Sequence, residues 1–343
     1  MRFERSMVEG NYLRDILAQP AAVADTVAGL RGVPDLPAGV PFDRIVLTGM
    51  GGSYHALQPL YLNLVEHGFN TTLVETAELI HYFGALLTPR TLLIAVSQSG
   101  CSVETVRLLD AIAGRVRTIG VTNTPGSPLA LRADVTVLMH AGIESSVSCK
   151  TYVGTLVALE WLGAALCRAD CKAVEAALQE SAAVAESYLT GWEAKVGALI
   201  DLLPGIRVVF VTGRGASLAA AGTGGLILKE SAHFHAEGMT CSAFRHGPFE
   251  LTGPDALVLV FSGDAKTTAL NANLVADVRK AGGTAFLVGP DSDLDAFRIP
   301  AVPATTRPVL EILPVQLVSL AFAALAGIEP GNFKLLTKVT TIE

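Results

Sequence analysis

The sequence carries little charge and has no basic segment. Charged residues make up 17% of its 343 residues, the net charge is −7, and no run of lysine or arginine occurs. A nucleic acid or an anionic membrane would require such a basic surface, so neither is expected as a partner. A small anionic ligand is still compatible with this charge, because helix N-termini and local basic groups can hold it.

Long apolar segments and paired cysteines are also missing. The N-terminus has no apolar core of a signal peptide. The most apolar helical segment, 151–167, contains Glu160 and is shorter than the ~20 apolar residues that a membrane span needs. The five cysteines are odd in number, and Cys167 and Cys171 have CxxxC spacing, so neither a disulfide framework nor a zinc site is expected. These features predict a soluble, cytoplasmic protein with reduced thiols.

Two parts of the chain repeat each other. Thr48 corresponds to Thr212 and Ser53 to Ser217, 164 residues apart, in segments that share an apolar run followed by T-G-x-G-x-S. The repeat continues in three further pairs of segments, which are 91–100 with 256–265, 116–127 with 282–293, and 151–166 with 308–325. Near-continuous apolar runs are typical of strands buried on both faces. The sequence therefore predicts an α/β fold with two doubly wound parallel sheets related by internal duplication.

The repeat also predicts how the chain is divided. Each half has the pattern strand, helix, strand, helix, strand. We expect an N-terminal helical segment, a first domain, a connecting helix, a second domain and a C-terminal tail, at residues 1–32, 33–170, 171–199, 200–327 and 328–343.

A cluster of small hydroxyl residues follows one predicted strand. Ser97, Ser99 and Ser102 come directly after the run LLIAV, and a helical pattern begins at once. Serine hydroxyls and free N–H groups at a helix start suit a phosphate monoester, although Ser102 alone could equally be a helix cap. The upstream loop TGMGGSY lacks the third glycine of a dinucleotide fingerprint, and neither loop is a P-loop. The two loops predict a phosphate site and no nucleotide cofactor.

The same residues resemble a known family. The stretches GGSY, SQSGCSVET, ESSVSCKTY, LKESAHFHAEGMTCSAFRHGPFEL and PGNFKLLTKVTTIE are similar to the tandem SIS (sugar isomerase) domains of glucosamine-6-phosphate synthase. The resemblance spans roughly residues 33–343 and implies flavodoxin-like domains. It also implies a sugar 6-phosphate ligand and a homodimer whose active site is shared across subunits. No cofactor is expected, and no metal either, because the two histidines of HFHAE (233–237) are two residues apart and would not share a helix face.

The resemblance implies roles for individual residues. Phosphate and sugar contacts are expected from Gly52, Ser53, Ser97, Gln98, Ser99, Ser102, Val147 and Ser148. Glu230 would move a proton between C1 and C2, and His246 would assist ring opening. Lys338 would form a Schiff base, with Lys334 as the alternative because this tail is longer than that of the synthase. Without the resemblance, Glu230 would be predicted to be a surface charge, His246 a turn residue and Lys338 a tail residue.

The sequence departs from the synthase at points that affect the predicted activity. It has Thr223 and Ile227 where the synthase has a carboxylate and a lysine, and it has no counterpart of the amide-hydrolysing domain, so glutamine is not expected as its ammonia source. Residues 12–20 resemble the N-terminal helix of single-chain glucosamine-6-phosphate deaminases and fructosamine 6-phosphate deglycases. We therefore expect an isomerase that releases ammonia from glucosamine 6-phosphate. A fructosamine 6-phosphate deglycase and a non-catalytic phosphosugar sensor are the alternatives.

Overall fold

The computed structural model describes residues 3–31, 33, 42–335 and 337–340. Its strands are β1 (Arg44–Gly49), β2 (Thr71–Glu75), β3 (Thr91–Val96), β4 (Arg117–Thr122), β5 (Val135–Leu138), β6 (Val208–Gly213), β7 (Ala236–Thr240), β8 (Ala256–Phe261) and β9 (Thr284–Val288). Its helices are α1 (Asn11–Leu17), α2 (Gln19–Leu30), α3 (Gly51–Ala56), α4 (Gln58–Glu66), α5 (Thr76–His81), α6 (Val103–Ile112), α7 (Pro128–Arg132), α8 (Lys150–Leu166), α9 (Cys171–Thr190), α10 (Trp192–Leu202), α11 (Leu218–Ala232), α12 (Cys241–Arg245), α13 (Thr268–Lys280) and α14 (Arg307–Ala326).

The first of two compact units contains Ala21–Ile143, Lys150–Glu180 and the chain from Leu335 onward. Its sheet has five parallel strands in the order β2-β1-β3-β4-β5. All six residues of β3 are buried, because helices cover both faces of the sheet, and this explains the unbroken apolar run TLLIAV. The strand order reverses between β1 and β3, so the loops that follow these two strands lie at the edge where open α/β sheets bind ligands.

The second unit contains the chain up to Pro20, Glu144–Cys149 and Ser181–Lys334. Its sheet has four parallel strands in the order β7-β6-β8-β9. β8 is buried at every position, as β3 is in the first unit. The strand order again reverses beside the first strand of the half, here between β6 and β8.

The two sheets confirm the predicted doubly wound α/β fold and its duplication. β1, β3 and β4 correspond to β6, β8 and β9, and α8 corresponds to α14. The expectation that no segment reaches the length of a membrane span is wrong, because α14 is long and apolar enough to cross one, with a mean hydropathy of 2.0. In the structure 89% of that stretch is buried inside the protein. A helix that is apolar on every side and buried on every side is a core helix.

Three edge strands, β2, β5 and β7, are absent from the sequence-based pattern, and glycine explains the absence of β7. A Cβ atom on Gly238 of β7 would lie 2.1 Å from the carbonyl oxygen of Ala221 in α11. A Cβ atom on Gly225 of α11 would lie 2.3 Å from the backbone nitrogen of Gly238. The helix and the strand therefore pack backbone against backbone, and Thr240 is the single β-branched residue of this strand.

Candidate functional site

The loop of residues 97–102, here called the hydroxyl loop, connects β3 to α6 in the first unit. The Ser97 N–H donates to the carbonyl oxygen of Val121 in β4 at 3.1 Å, which holds the loop on the sheet. The Gly100 N–H donates to Ser97 Oγ at 3.1 Å, and the Cys101 N–H donates to Ser99 Oγ at 3.3 Å. Ser97 is buried, whereas Gln98, Ser99 and Ser102 are half-buried. The loop thus presents several hydroxyls around its own backbone N–H groups.

Gly100 gives the hydroxyl loop its tight path. Its φ is +65°, and a Cβ atom there would lie 2.1 Å from Ser127 Oγ. Ser102 is the N-cap of α6 and accepts the Thr105 N–H at 3.4 Å, so the capping role considered from the sequence is present. Helix capping therefore explains the position of Ser102 but not the positions of Ser97 and Ser99.

A second loop of the first unit follows β1. Gly51 begins α3 with a left-handed φ of +50°, and a Cβ atom on Gly52 would meet nothing within 4 Å. Ser53 is half-buried, and among the described residues its hydroxyl makes no hydrogen bond. Open space beside Gly52 and an available hydroxyl are features of a ligand-binding loop.

The C-terminal tail meets the hydroxyl loop within the first unit. The Val103 N–H at the start of α6 donates to the carbonyl oxygen of Thr340 at 3.1 Å. Lys338, two residues before Thr340, is half-buried and belongs to this unit, whereas Lys334 is exposed and belongs to the second unit. Of the two candidate lysines, Lys338 is therefore the one that shares a unit with the hydroxyl loop.

In the second unit, Glu230 lies near the end of α11 and is half-buried. Burial raises the pKa of Tyr12 in α1 far above its usual range, with smaller electrostatic contributions from Cys149 and Glu230. Tyr12 Oη lies 3.2 Å from Ser319 Oγ in α14. Tyr12, in the same unit as Glu230, therefore stays protonated at every physiological pH.

The segment 144–149 and the start of the tail converge near Glu230 in the same unit. Ser146 Oγ donates to the carbonyl oxygen of Gly331 at 2.7 Å, and the Gly331 N–H donates to the carbonyl oxygen of Ser231 at 2.9 Å. Gly331 has a φ of +76°, and a Cβ atom there would lie 2.2 Å from Ser146 Oγ. Glycine is therefore required where the tail passes the end of α11.

Val147 and Ser148 lie in this converging segment, and the remaining predicted residue, His246, lies elsewhere in the second unit. The Val147 side chain is fully buried, so it can position Ser148 but cannot expose its own side chain to a ligand. Ser148 is half-buried. His246 is exposed at the C-terminus of α12, which agrees with the predicted helix-end turn.

Sequence analysis missed an acidic cluster beside Ser148. One ligand atom from each of Asp15, Glu144 and Cys149 lies within 4.8 Å of the other two, and all three residues are buried. Glu144 Oε1 accepts the Cys149 N–H at 2.9 Å, and all three residues have further polar contacts in the protein. Asp15 and Glu144 lie inside the stretches that carry the family resemblance. The resemblance could therefore have pointed to this cluster, but neither residue has a predicted role.

One family model matches the chain twice, once in each half. A model described as the SIS domain matches residues 41–165 and residues 205–326, which together are more than half of the chain. The chain is 32% identical to glutamine–fructose-6-phosphate aminotransferase [isomerizing] of Pyrococcus horikoshii, over 99% of this chain and 59% of that protein. It thus spans about three fifths of the length of this relative.

Solved structures support the same fold. The chain is similar to the C-terminal domain of glucosamine-fructose-6-phosphate aminotransferase from Francisella tularensis, with a TM-score of 0.84 and 21% identity over 99% of this chain and 100% of that chain. It is also similar to glucosamine-6-phosphate deaminase of Thermotoga maritima, with a TM-score of 0.80 and 19% identity over 97% of this chain and 100% of that chain.

Proposed function

Since the chain belongs to the SIS domain family, we propose that it is a phosphosugar isomerase that converts glucosamine 6-phosphate and water into fructose 6-phosphate and ammonia. The observation that carries this proposal is the contact between the hydroxyl loop and the C-terminal tail. The 3.1 Å hydrogen bond from Val103 to Thr340 brings Lys338 into the unit that holds the loop. A loop suited to phosphate and an amine suited to an imine thus belong to one unit.

The hydroxyl loop supplies the binding step. Ser97, Gln98 and Ser99 offer side-chain donors, and the N-terminus of α6 adds a positive partial charge. A phosphate monoester accepts such hydrogen bonds without a cationic side chain. The negative net charge of the chain is therefore no obstacle to a sugar phosphate.

Glu230 supplies the proton transfer. It would take the proton from C2 and return it to C1, with a second proton passing from the nitrogen to the aldehyde oxygen. The C1 aldehyde and C2 amine thereby become a C1 alcohol and a C2 imine, and water hydrolyses the imine to a ketone and ammonia. In this hydrolysis Lys338 would first exchange with the C2 imine, which releases ammonia and leaves the sugar bound to the lysine nitrogen. Water would then cleave this second imine to the ketone and the free lysine.

His246 completes the proposed set of catalytic residues. An imidazole titrates in the range needed to protonate the ring oxygen during ring opening. His246 is exposed on its own chain, which supports a homodimer in which it serves the site of the partner subunit. The proposal places this enzyme in the cytoplasm.

The test is the reaction itself. The purified chain is incubated with glucosamine 6-phosphate, and ammonia and fructose 6-phosphate are measured in the same samples by coupled dehydrogenase assays. Equal amounts of both products are expected. Binding of the sugar phosphate without release of ammonia would contradict the deaminase proposal.

The alternatives give different results in the same assay. A fructosamine 6-phosphate deglycase would release an amino acid from a 6-phosphorylated fructosyl-amino acid and leave glucosamine 6-phosphate unchanged. A sensor would bind glucosamine 6-phosphate and turn over neither compound.

A further inference from the structure

The second unit contains its own copy of the two ligand loops. Residues 213–217 after β6 correspond to residues 49–53, and residues 262–267 after β8 correspond to the hydroxyl loop. Gly51 and Gly215 both adopt a left-handed conformation, with φ of +50° and +59°. The backbone path after the first strand of each half is therefore kept, and the carboxyl ends of β6 and β8 form a second potential ligand position.

The equivalent serines of the two halves have different partners. Ser53 is half-buried with an available hydroxyl, whereas Ser217 is fully buried and donates from Oγ to Glu311 Oε1 at 2.7 Å. Glu311 is 1% exposed, and its other oxygen, Oε2, finds no hydrogen-bond partner among the described residues. The Arg307 Nε atom lies 3.3 Å from Glu311 Oε1. A carboxylate, a guanidinium and a serine hydroxyl thus meet inside this unit.

The first unit has no counterpart of this carboxylate. α8 and α14 are equivalent helices that begin with the cations Lys150 and Arg307, and counting from these residues places Gly154 where α14 has Glu311. The loop after β8 also has a carboxylate that the first unit lacks, because Asp264 stands where the hydroxyl loop has Ser99. Asp264 Oδ1 accepts the Lys266 N–H at 3.0 Å. The second unit therefore has carboxylates where the first has a hydroxyl or no side chain.

We propose that Glu311 is an internal ligand, whose carboxylate occupies the anion position of the second unit beside Ser217 and Arg307. The chain fills this copy of the site with its own side chain, so the site takes no oxyanion from solution. Removal of the Glu311 side chain opens a site for a small carboxylate or a phosphate. This inference does not depend on which reaction the first unit serves.

The test is chemical rescue of Glu311→Ala, since acetate has the same four heavy atoms that this substitution removes. The variant is melted at pH 8, where Glu311 of the wild type is largely ionised because burial raises its pKa only to about 7. In sodium chloride we expect the melting temperature to fall by on the order of 10 °C, because the buried Ser217 and the half-buried Arg307 both lose their carboxylate partner. Sodium acetate at equal ionic strength should restore several degrees, and neutral acetamide should restore none.

A control on the same helix separates this effect from general salt stabilisation. Gln316→Ala removes a fully buried side chain of similar length, which exchanges hydrogen bonds of 2.7 and 3.0 Å with Gln19. It should be destabilised and insensitive to acetate, as should the wild type. Should Glu311→Ala be unfolded in chloride, recovery of its circular dichroism signal in acetate is the same readout.

Two results would overturn the proposal. One is a Glu311→Ala variant that melts identically in chloride and acetate, or that stays unfolded in both. The other is wild-type protein that binds two inorganic phosphate ions per chain by calorimetry, since an occupied second site permits at most one.

Discussion

The hydroxyl loop and its copy after β8 differ in charge although they stand on equivalent strands. In the first unit, Ser97 and Ser99 surround backbone N–H groups, and a neighbouring serine, Ser53, keeps an available hydroxyl. In the second unit, Asp264 and Glu311 provide carboxylates, and Ser217 is already bonded. The comparison teaches that duplication preserves the sheet and the left-handed glycine of the loop, while a few polar side chains decide whether a loop receives a ligand or contains one.

The largest expected effect is the loss of catalysis when the carboxylate of Glu230 is replaced, compared with the same replacement at its counterpart in the first half. Glu230→Gln should lower kcat by about 10³-fold, because an amide cannot accept the transferred proton, while the Kd of glucosamine 6-phosphate changes by less than about threefold. Steady-state assays and calorimetry measure the two quantities. Glu66 occupies the corresponding position in the first half, 164 residues earlier, and is exposed at the end of α4. Glu66→Gln should leave kcat unchanged, and equal activity of both variants would remove Glu230 from the mechanism.

The next effect concerns the packing of the edge strands. Gly238→Ala should destabilise the protein by about 3 kcal/mol or more, because its Cβ atom would lie 2.1 Å from the carbonyl oxygen of Ala221. Strand register places Leu73 at the equivalent position of β2, so only the second unit has this close contact. Urea unfolding measures the change. Gly84→Ala, where a Cβ atom meets nothing within 4 Å, is the control and should be nearly neutral.

A smaller effect tests the loops themselves. Ser99→Ala should raise KM for the phosphorylated sugar about tenfold, the equivalent of losing one hydrogen bond to a charged group. Asp264→Ala, at the corresponding position after β8, should leave KM unchanged. A KM that is equal in Ser99→Ala and wild type would show that the hydroxyl loop does not bind the phosphate.

The last effect is a pH dependence of stability that arises in the core helix of the first unit. Burial raises the pKa of Glu160 on α8 to about 7, whereas the carboxyl of an unfolded chain titrates near 4.5. The folded state therefore holds this proton more tightly, and the associated stability is complete below about pH 4.5 and is lost as the pH rises to about 7. Glu160→Gln cannot ionise, so it should gain about 2 kcal/mol over the wild type between pH 5 and pH 8. Urea unfolding at both pH values checks this, and a pH-independent difference would contradict it.

Apolar periodicity predicts most of the scaffold but one of its four edge strands only, β9. β1, β3, β4, β6 and β8 are central strands with largely apolar runs, so the pattern alone identifies them. β7 contains Glu237 and Gly238, and its formation depends on contact with α11. The connection after α8 is two helices, α9 and α10, on either side of Gly191, where the sequence predicts a single helix.

Local sequence predicts the candidate site less completely than it predicts the fold. The hydroxyl loop is detectable because its residues are adjacent in sequence and follow a strand. Tyr12 and Ser319 are 307 residues apart, and Ser217 and Glu311 are 94 residues apart. No periodicity links such pairs, because tertiary packing brings them together. The roles assigned to Glu230, His246 and Lys338 stay predictions until the variants are measured.

The hydrogen bond between Thr340 and Val103 has a practical consequence for handling the protein. Proteolysis on the N-terminal side of Thr340 would remove the carbonyl that accepts the Val103 N–H and so the support of the start of α6. Recombinant protein intended for binding or kinetic work should therefore be checked by mass spectrometry for the presence of Thr340.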